Sequence, residues 1–187
     1  MKKTLLLFLL LPFLGFAQTP LSGDYIISNT NTDSNFKTLA AAVNRLNAVG
    51  VNAPVRFLLD ENQTLTSLLS INSFSNTTSS TVTIKPNTGR TITINANMPD
   101  ASNGVPAVIR INGSSNIIID GSNSALNTKN LTLINNDNIN YTARAIIWIA
   151  SNGSTGSSNI TVKNSNFRFS TRKQQMTPLS GTYSGNY

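Results

Sequence analysis

The chain contains no cysteine and no histidine. Without cysteine there is no disulfide, so a fold exported from the cell must be held by its core alone. Without histidine the usual general base and the commonest transition-metal ligand are missing. Ser-His-Asp, Cys-His and histidine-based zinc chemistry are therefore excluded within this chain. Acidic residues are few, 7 against 14 Lys and Arg, and the only tryptophan is Trp148. Long hydrophobic runs are confined to the N-terminus, and convincing helical periodicity occurs once.

The hydrophobic run opens the chain. In MKKTLLLFLLLPFLGFAQ, Lys2 and Lys3 precede the apolar stretch Leu5–Leu14, and Gly15-Phe16-Ala17 forms a small-x-small cleavage site. This is the pattern of a secretory signal peptide over 1–17, with Gln18 as the first mature residue. The run is too short to span a bilayer, so no membrane span is expected after cleavage. Losing Lys2 and Lys3 lowers the formal charge from +7 to +5. The remaining basic residues are scattered between Lys37 and Lys173 without the concentrated stripe or motif that nucleic acid would need. An acidic polysaccharide could be attracted weakly.

The helical segment is SNFKTLAAAVNRLNAVG. Phe36, Leu39, Ala40, Val43 and Leu46 follow helical spacing, and Val49 extends the face. Ser34 or Asn35 is the expected N-cap, and Gly50 stands where a left-handed C-terminal residue belongs. Before it, GDYIIS reads as a short strand. From Val55 onward the chain alternates short apolar strands with Asn, Ser, Gly and Thr. The expected strands are 55–59, 81–86, 91–96, 107–113, 116–121, 130–135, 145–150 and 159–164. Alternation such as Val82 and Ile84 inward against Thr81, Thr83 and Lys85 outward implies one buried face per strand.

Two all-β architectures compete: an antiparallel sandwich with short hairpins and a parallel β-helix winding around one axis. A repeat favours the second. SSNIIIDG at 114–121 returns as SSNITVKN at 157–164, with NLTLIN and AIIWIA between, so one coil comprises three strands. Asn tolerates a left-handed backbone and bonds to its own turn. The repeated Ser-Ser-Asn therefore reads as a corner. Stacked corners would let Asn116 and Asn159 share a ladder of side-chain amide bonds, as identical residues do in cross-β structures.

The order LSGDYIIS, FKTLAAAVNRLNAVGV, APVRFLL, TVTIKPNTGRTITI and VIRINGSSNIIIDG resembles the N-terminal region of large secreted, pectin-lyase-like β-helix proteins of Bacteroidota. The resemblance covers about residues 21–167. It implies an all-β, right-handed parallel β-helix with an N-terminal capping helix near 36–48, and export to the outer surface of a Gram-negative bacterium, commonly by type IX secretion. The expected organisation is a signal peptide at 1–17, an N-terminal strand and helix at 18–54, coils at 55–169, and a polar tail or the start of another coil at 170–187. Members of that family often end in a C-terminal sorting domain, and a solenoid end needs a cap. Neither is legible after Phe169, so the solenoid is expected to be incomplete, to continue in further coils of the same protein, and to associate through its open end when isolated.

Catalytic candidates are sparse. Polysaccharide hydrolysis needs two carboxylates across the scissile bond, whereas Asp60 and Glu61 are adjacent and would point to opposite faces of a strand. Asp120 ends a strand and is the best single carboxylate, although a turn residue before Gly121 has the same sequence signature. Asp137 in NNDNIN resembles it. Lyases of the resembled fold often combine a basic residue with calcium-bound carboxylates, which implies Lys163, on the equivalent strand, and Arg168. Calcium needs several converging oxygens, and Asp120 with Asn123 is too little for a motif, so neither metal nor cofactor is assigned. In AIIWIA, inward Ile147 and Ile149 would leave Trp148 outward, where an indole can stack on a sugar or anchor a partner, unless the loop 135–143 folds over it. The expected function is a non-catalytic structural, adhesive or carbohydrate-binding surface module. A carbohydrate-active lyase or glycoside hydrolase on extracellular polysaccharide is the alternative.

Overall fold

Alternating apolar residues demand a buried face, and among the described residues twelve strands satisfy that demand in three parallel sheets. The computed structural model describes residues 19–97, 107–124, 127–136 and 144–169. Within these, β1 (Leu21–Ile27) precedes α1 (Leu39–Val49). Then follow β2 (Val51–Leu59), β3 (Gln63–Leu65), β4 (Leu69–Asn72), β5 (Val82–Pro86), β6 (Ile92–Ala96), β7 (Ala107–Asn112), β8 (Ser115–Asp120), β9 (Leu131–Asn135), β10 (Ala145–Ala150), β11 (Ser158–Lys163) and β12 (Ser165–Phe169). The first sheet has the order β1-β2-β5-β8-β11, the second β12-β9-β6-β3 and the third β10-β7-β4. Every pairing between these strands is parallel. From β2 onward, successive strands visit the first, second and third sheets in turn and then return to the first. The antiparallel sandwich is thereby excluded, since its hairpins would pair consecutive strands antiparallel.

Register aligns like residues from round to round. Val55, Val82, Ile117 and Ile160 form one inward column of the first sheet, and Phe57, Ile84, Ile119 and Val162 another. In the third sheet Leu69, Ile109 and Ile147 align, as do Ile71, Ile111 and Ile149. In the second, Ile94 aligns with Leu133 and Phe167. Phe57, Ile84, Ile94, Ile109, Ile111 and Ile117 are fully buried. Each such side chain contributes roughly 1.5–3 kcal/mol of transfer free energy, and here that burial is the principal support available.

The helix lies against the first round. Leu39, Ala42, Val43, Leu46 and Val49 are buried in the common core. Its Asn47 side chain acts as a strand edge for β4: Nδ2 donates to the Ser70 carbonyl at 2.9 Å, and Oδ1 accepts the Asn72 N–H at 3.0 Å. That edge is thus closed to other chains. Gly50 ends the helix at φ 66, donating its N–H to the Leu46 carbonyl at 2.8 Å. A Cβ there would lie 2.1 Å from the Ser75 carbonyl oxygen, so glycine is required both for its backbone and for its size.

The helix starts later than its periodicity predicts, and the N-cap is Thr38 rather than Ser34 or Asn35. Thr38 Oγ1 accepts the Ala41 N–H at 3.1 Å. Asn35 is occupied elsewhere, accepting the Ile26 N–H at 2.8 Å, and Phe36 bridges to Ile27 in parallel fashion. Phe36 instead joins Tyr25 and Phe57 in an aromatic cluster with centroids 5.5–6.3 Å apart. Ala42 rather than Ala40 is fully buried.

The eight expected strands are all present, with ends shifted by a residue or two, except that β2 starts at Val51. Leu21 faces Val51 whereas Gly23 faces Val55, so Asn52, Ala53 and Pro54 include extra residues at a bulge, where proline's missing N–H is tolerated. Strands β3, β4 and β12 lie outside the expected set. Among the described residues no helix is long and apolar enough to cross a membrane. The expected signal peptide, Asp137 and the tail 170–187 lie outside the described residues.

Candidate functional site

The corner motif is built as its repetition predicts. Asn116 and Asn159 adopt φ 61 and 53, a region that asparagine enters more readily than other side-chain-bearing residues. Asn159 Nδ2 donates to Asn116 Oδ1 at 3.0 Å, and the Ser115 and Ser158 hydroxyls lie 2.8 Å apart. Ser114 Oγ donates to the Ile71 carbonyl at 3.1 Å, and Ser157 Oγ donates to the Ala150 carbonyl at 2.7 Å while accepting the Gly113 N–H at 3.0 Å. Similar rungs join Asn112 to Asn72 at 3.3 Å and Asn136 to Asn95 at 2.6 Å. Ser-Ser-Asn is thus a stacking device that ties one round to the next.

Asp120 and Lys163 are brought together. They are register partners on β8 and β11, with Nζ 3.4 Å from Oδ2. Yet Asp120 Oδ1 already accepts the Ser122 N–H and the Asn164 side-chain amide, each at 3.0 Å. Burial pushes the Asp120 carboxyl up. The Ser122 N–H, the Asn164 amide, the Ser122 hydroxyl and the Lys163 charge outweigh it and hold the group below the ordinary carboxylate range. A carboxyl so stabilised in its charged form is poorly suited to donate a proton as a general acid. Gly121 completes the corner: its N–H donates to the Lys163 carbonyl at 3.0 Å, and its own carbonyl accepts the Asn130 N–H at 2.8 Å.

The other candidates are dispersed. Arg168 stands on β12 opposite Ile134 in the second sheet. Asn123 turns from Asp120 toward Thr128 and the Arg90 carbonyl, at 3.1 and 2.7 Å. Asp60 and Glu61 lie just beyond β2 and take separate partners. Asp60 accepts from Arg90 Nε at 2.9 Å and from Asn87 at 3.1 Å, whereas Glu61 binds Asn29 N–H and Thr30 Oγ1. Hydrogen bonding from Arg90 leads the causes that lower the Asp60 pKa, opposed by burial and aided by Asn87, the Arg90 charge and Asn31. Among the described residues, no three or more acidic side chains gather into a group that could hold a metal ion.

Trp148 lies on the outer face of the third sheet. Inward Ile147 and Ile149 align with buried Ile109 and Ile111, as AIIWIA predicts. Trp148 pairs in register with Arg110, whose guanidinium carbon lies 5.4 Å from the indole centroid. Arg110 Nε donates to Ser70 Oγ at 3.1 Å. Ser70, Arg110 and Trp148 therefore run side by side across β4, β7 and β10, flanked by the Asn72–Asn112 rung. Trp148 is partly exposed. On the same outward side, one step earlier along each strand, Val108 and Ile146 are buried, so only part of this face meets solvent.

Sequence reasoning missed Arg110 as the neighbour of Trp148, because that pairing depends on register across most of a round. It also missed Gln63. Buried Gln63 Oε1 accepts the Leu39 N–H at 2.9 Å, and Nε2 donates to the Glu61 carbonyl at 3.1 Å, satisfying a helix N-terminus at which Thr38 already serves as cap. Two recesses, one lined by Thr38, Asn44 and Gln63 and the other by Ser73, Asn76 and Asn116, include none of Asp120, Lys163, Arg168 or Trp148. Compared with family models, curated proteins and solved structures, the chain matches none.

Proposed function

We propose that this chain is part of a secreted or outer-surface module, a right-handed parallel β-helix with α1 capping its first coil, that binds carbohydrate without turning it over. The cyclic order of strands through three parallel sheets supports the solenoid, and the N-terminal sequence supports export. One observation carries the binding role: the outward row Ser70, Arg110 and Trp148, in which an indole and a guanidinium stand on neighbouring strands. Indole faces stack on apolar sugar faces. Guanidinium groups recognise carboxylate in a planar, bidentate fashion. The pair fits an acidic polysaccharide, such as one containing uronic acids, and the basic charge of the chain favours the encounter. The Ser70 hydrogen bond and the indole contact already hold the Arg110 guanidinium, which lowers the ordering cost of binding.

The commitment of Asp120 to its own corner supports the non-catalytic reading. The contact of Lys163 with Asp120 is the one observation that favours a lyase or hydrolase instead. Intrinsic fluorescence tests the binding role, since Trp148 is the only tryptophan. Titration with soluble uronic-acid polymers should shift Trp148 emission saturably. Arg110→Ala should weaken binding about tenfold, a loss of one charge-assisted contact worth roughly 1.5 kcal/mol. Unchanged emission across neutral and acidic polysaccharides would remove the proposal.

A further inference from the structure

Three asparagines of this chain are followed directly by glycine: Asn103, Asn112 and Asn152. An asparagine in that position can react with its own backbone. The amide nitrogen of the next residue attacks the side-chain carbonyl carbon, and glycine hinders that attack least because it carries no Cβ. Asn103 lies outside the described residues. The other two meet at one corner of neighbouring rounds, Asn112 closing β7 and Asn152 following β10, and their surroundings differ where the reaction is decided.

Around Asn112 both reacting groups are occupied. Gly113 is buried, and its N–H donates to the Ala150 carbonyl and to Ser157 Oγ, each at 3.0 Å. The Asn112 carboxamide donates to Asn72 Oδ1 at 3.3 Å, and its backbone is fixed between Asn72 and Ala150 in the third sheet. Reaction there requires these bonds to open together. Asn152 and Gly153, by contrast, are both exposed. Among the described residues, neither the Asn152 carboxamide nor the Gly153 N–H has a hydrogen-bond partner. Gly153 adopts φ 60, and nothing lies within 4 Å of the place a Cβ would take, so no neighbouring group shields the turn. Only its ends are pinned, by the mutual Asn152–Thr155 backbone bonds at 2.9 and 3.1 Å.

We propose that Asn152 is a site of spontaneous modification, converting to a mixture of aspartate and isoaspartate in the folded protein while Asn112 persists. The Gly153 nitrogen forms a bond to Asn152 Cγ, and the Cγ–Nδ2 bond breaks. Ammonia leaves with the proton from the attacking nitrogen, and a five-membered imide remains. Water then opens the imide. Cleavage of the new N–Cγ bond gives aspartate. Cleavage at the backbone carbonyl gives isoaspartate, in which the chain runs through the side chain and is one methylene longer. Either product places a carboxylate where a neutral amide stood. The longer product cannot keep the Asn152–Thr155 bridge in its present form. Asn152 Cβ lies only 2.8 Å from where a Cβ at Gly113 would stand, so the change reaches the packed corner between β10 and β11.

The unaltered chain tests this without a variant. Cleavage after Lys and Arg separates the three Asn-Gly pairs into segments 91–110, 111–129 and 145–163. Hold the folded protein at mildly alkaline pH, where the attacking nitrogen loses its proton more readily. Then digest it and follow the mass gain of acid over amide in each segment, with fragmentation to place the change. Asn152 should convert at least about tenfold faster than Asn112, because the bonds that hold Gly113 must open before Asn112 can react. In denaturant those bonds are gone, and the two rates should agree within about threefold. Any of three results overturns the proposal: an Asn152 that stays intact, equal rates in the folded protein, or a gap that persists unchanged in denaturant.

Discussion

Replacing Gly121 with alanine tests the stacked corner at its tightest point. A Cβ at residue 121 would stand 1.7 Å from the carbonyl oxygen of Asn164 and 2.6 Å from its carbonyl carbon. Both atoms are backbone, so no rotamer change relieves the clash, and β11 must move away from β8. That movement endangers the Gly121–Lys163 backbone bond and the Asn164 and Lys163 contacts to Asp120. Overpacking of this kind costs roughly 1–3 kcal/mol, and each strained hydrogen bond adds about 1 kcal/mol. A total near 3 kcal/mol at a urea slope of about 2 kcal/mol/M moves the unfolding midpoint down by about 1.5 M. Trp148 emission and far-ultraviolet circular dichroism report the transition. Gly156→Ala is the control, since nothing lies within 4 Å of a Cβ there, and it should stay within about 0.5 kcal/mol of the parent. Equal midpoints for the two variants would refute the close stacking of β8 and β11.

Two further outcomes follow from the same corners. Asn116→Ala should lose both the tolerated left-handed backbone and its rung to Asn159, about 1–2 kcal/mol in a denaturant melt, and Asn116→Gly should recover only the backbone part. Stability should also fall in acid. Asp60 and Asp120 have folded pKa values below the ordinary range, so their contribution is complete above about pH 4 and is lost as pH drops through the folded values. Melting temperature between pH 5 and 2 should fall less steeply in the double variant Asp60→Asn, Asp120→Asn than in the parent.

Strands between Val82 and Lys163 are legible because Val-Thr-Ile, Ile-Thr-Ile and Ile-Thr-Val alternate cleanly and an Asn or Gly stands within two residues of each strand's end. The Asn116–Asn159 rung is legible because one motif recurs at a corner. β3 and β4 are not, since Gln63-Thr64-Leu65 carries one apolar residue and Leu69–Asn72 only two, and neighbouring rounds supply the rest of their burial. The helix start is misread because Phe36 fits the helical period while its backbone is taken by Ile26 and Ile27. At the site, an outward Trp148 follows from Ile147 and Ile149, and Lys163 beside Asp120 follows from equivalent strands. Arg110 beside Trp148 and the closed hydrogen-bond shell of Asp120 depend on round-to-round register, which local pattern does not carry.

Binding without turnover is best tested on one sample. Incubate the protein with an acidic polysaccharide, and measure both the protein retained and the new chain ends released. Retention should be saturable, should fall sharply in Trp148→Ala, and should survive in Asp120→Asn, with no new ends from the parent. Steady release of chain ends by the parent, abolished in Asp120→Asn or Lys163→Ala, would contradict the account and make the corner of β8 and β11 an active site.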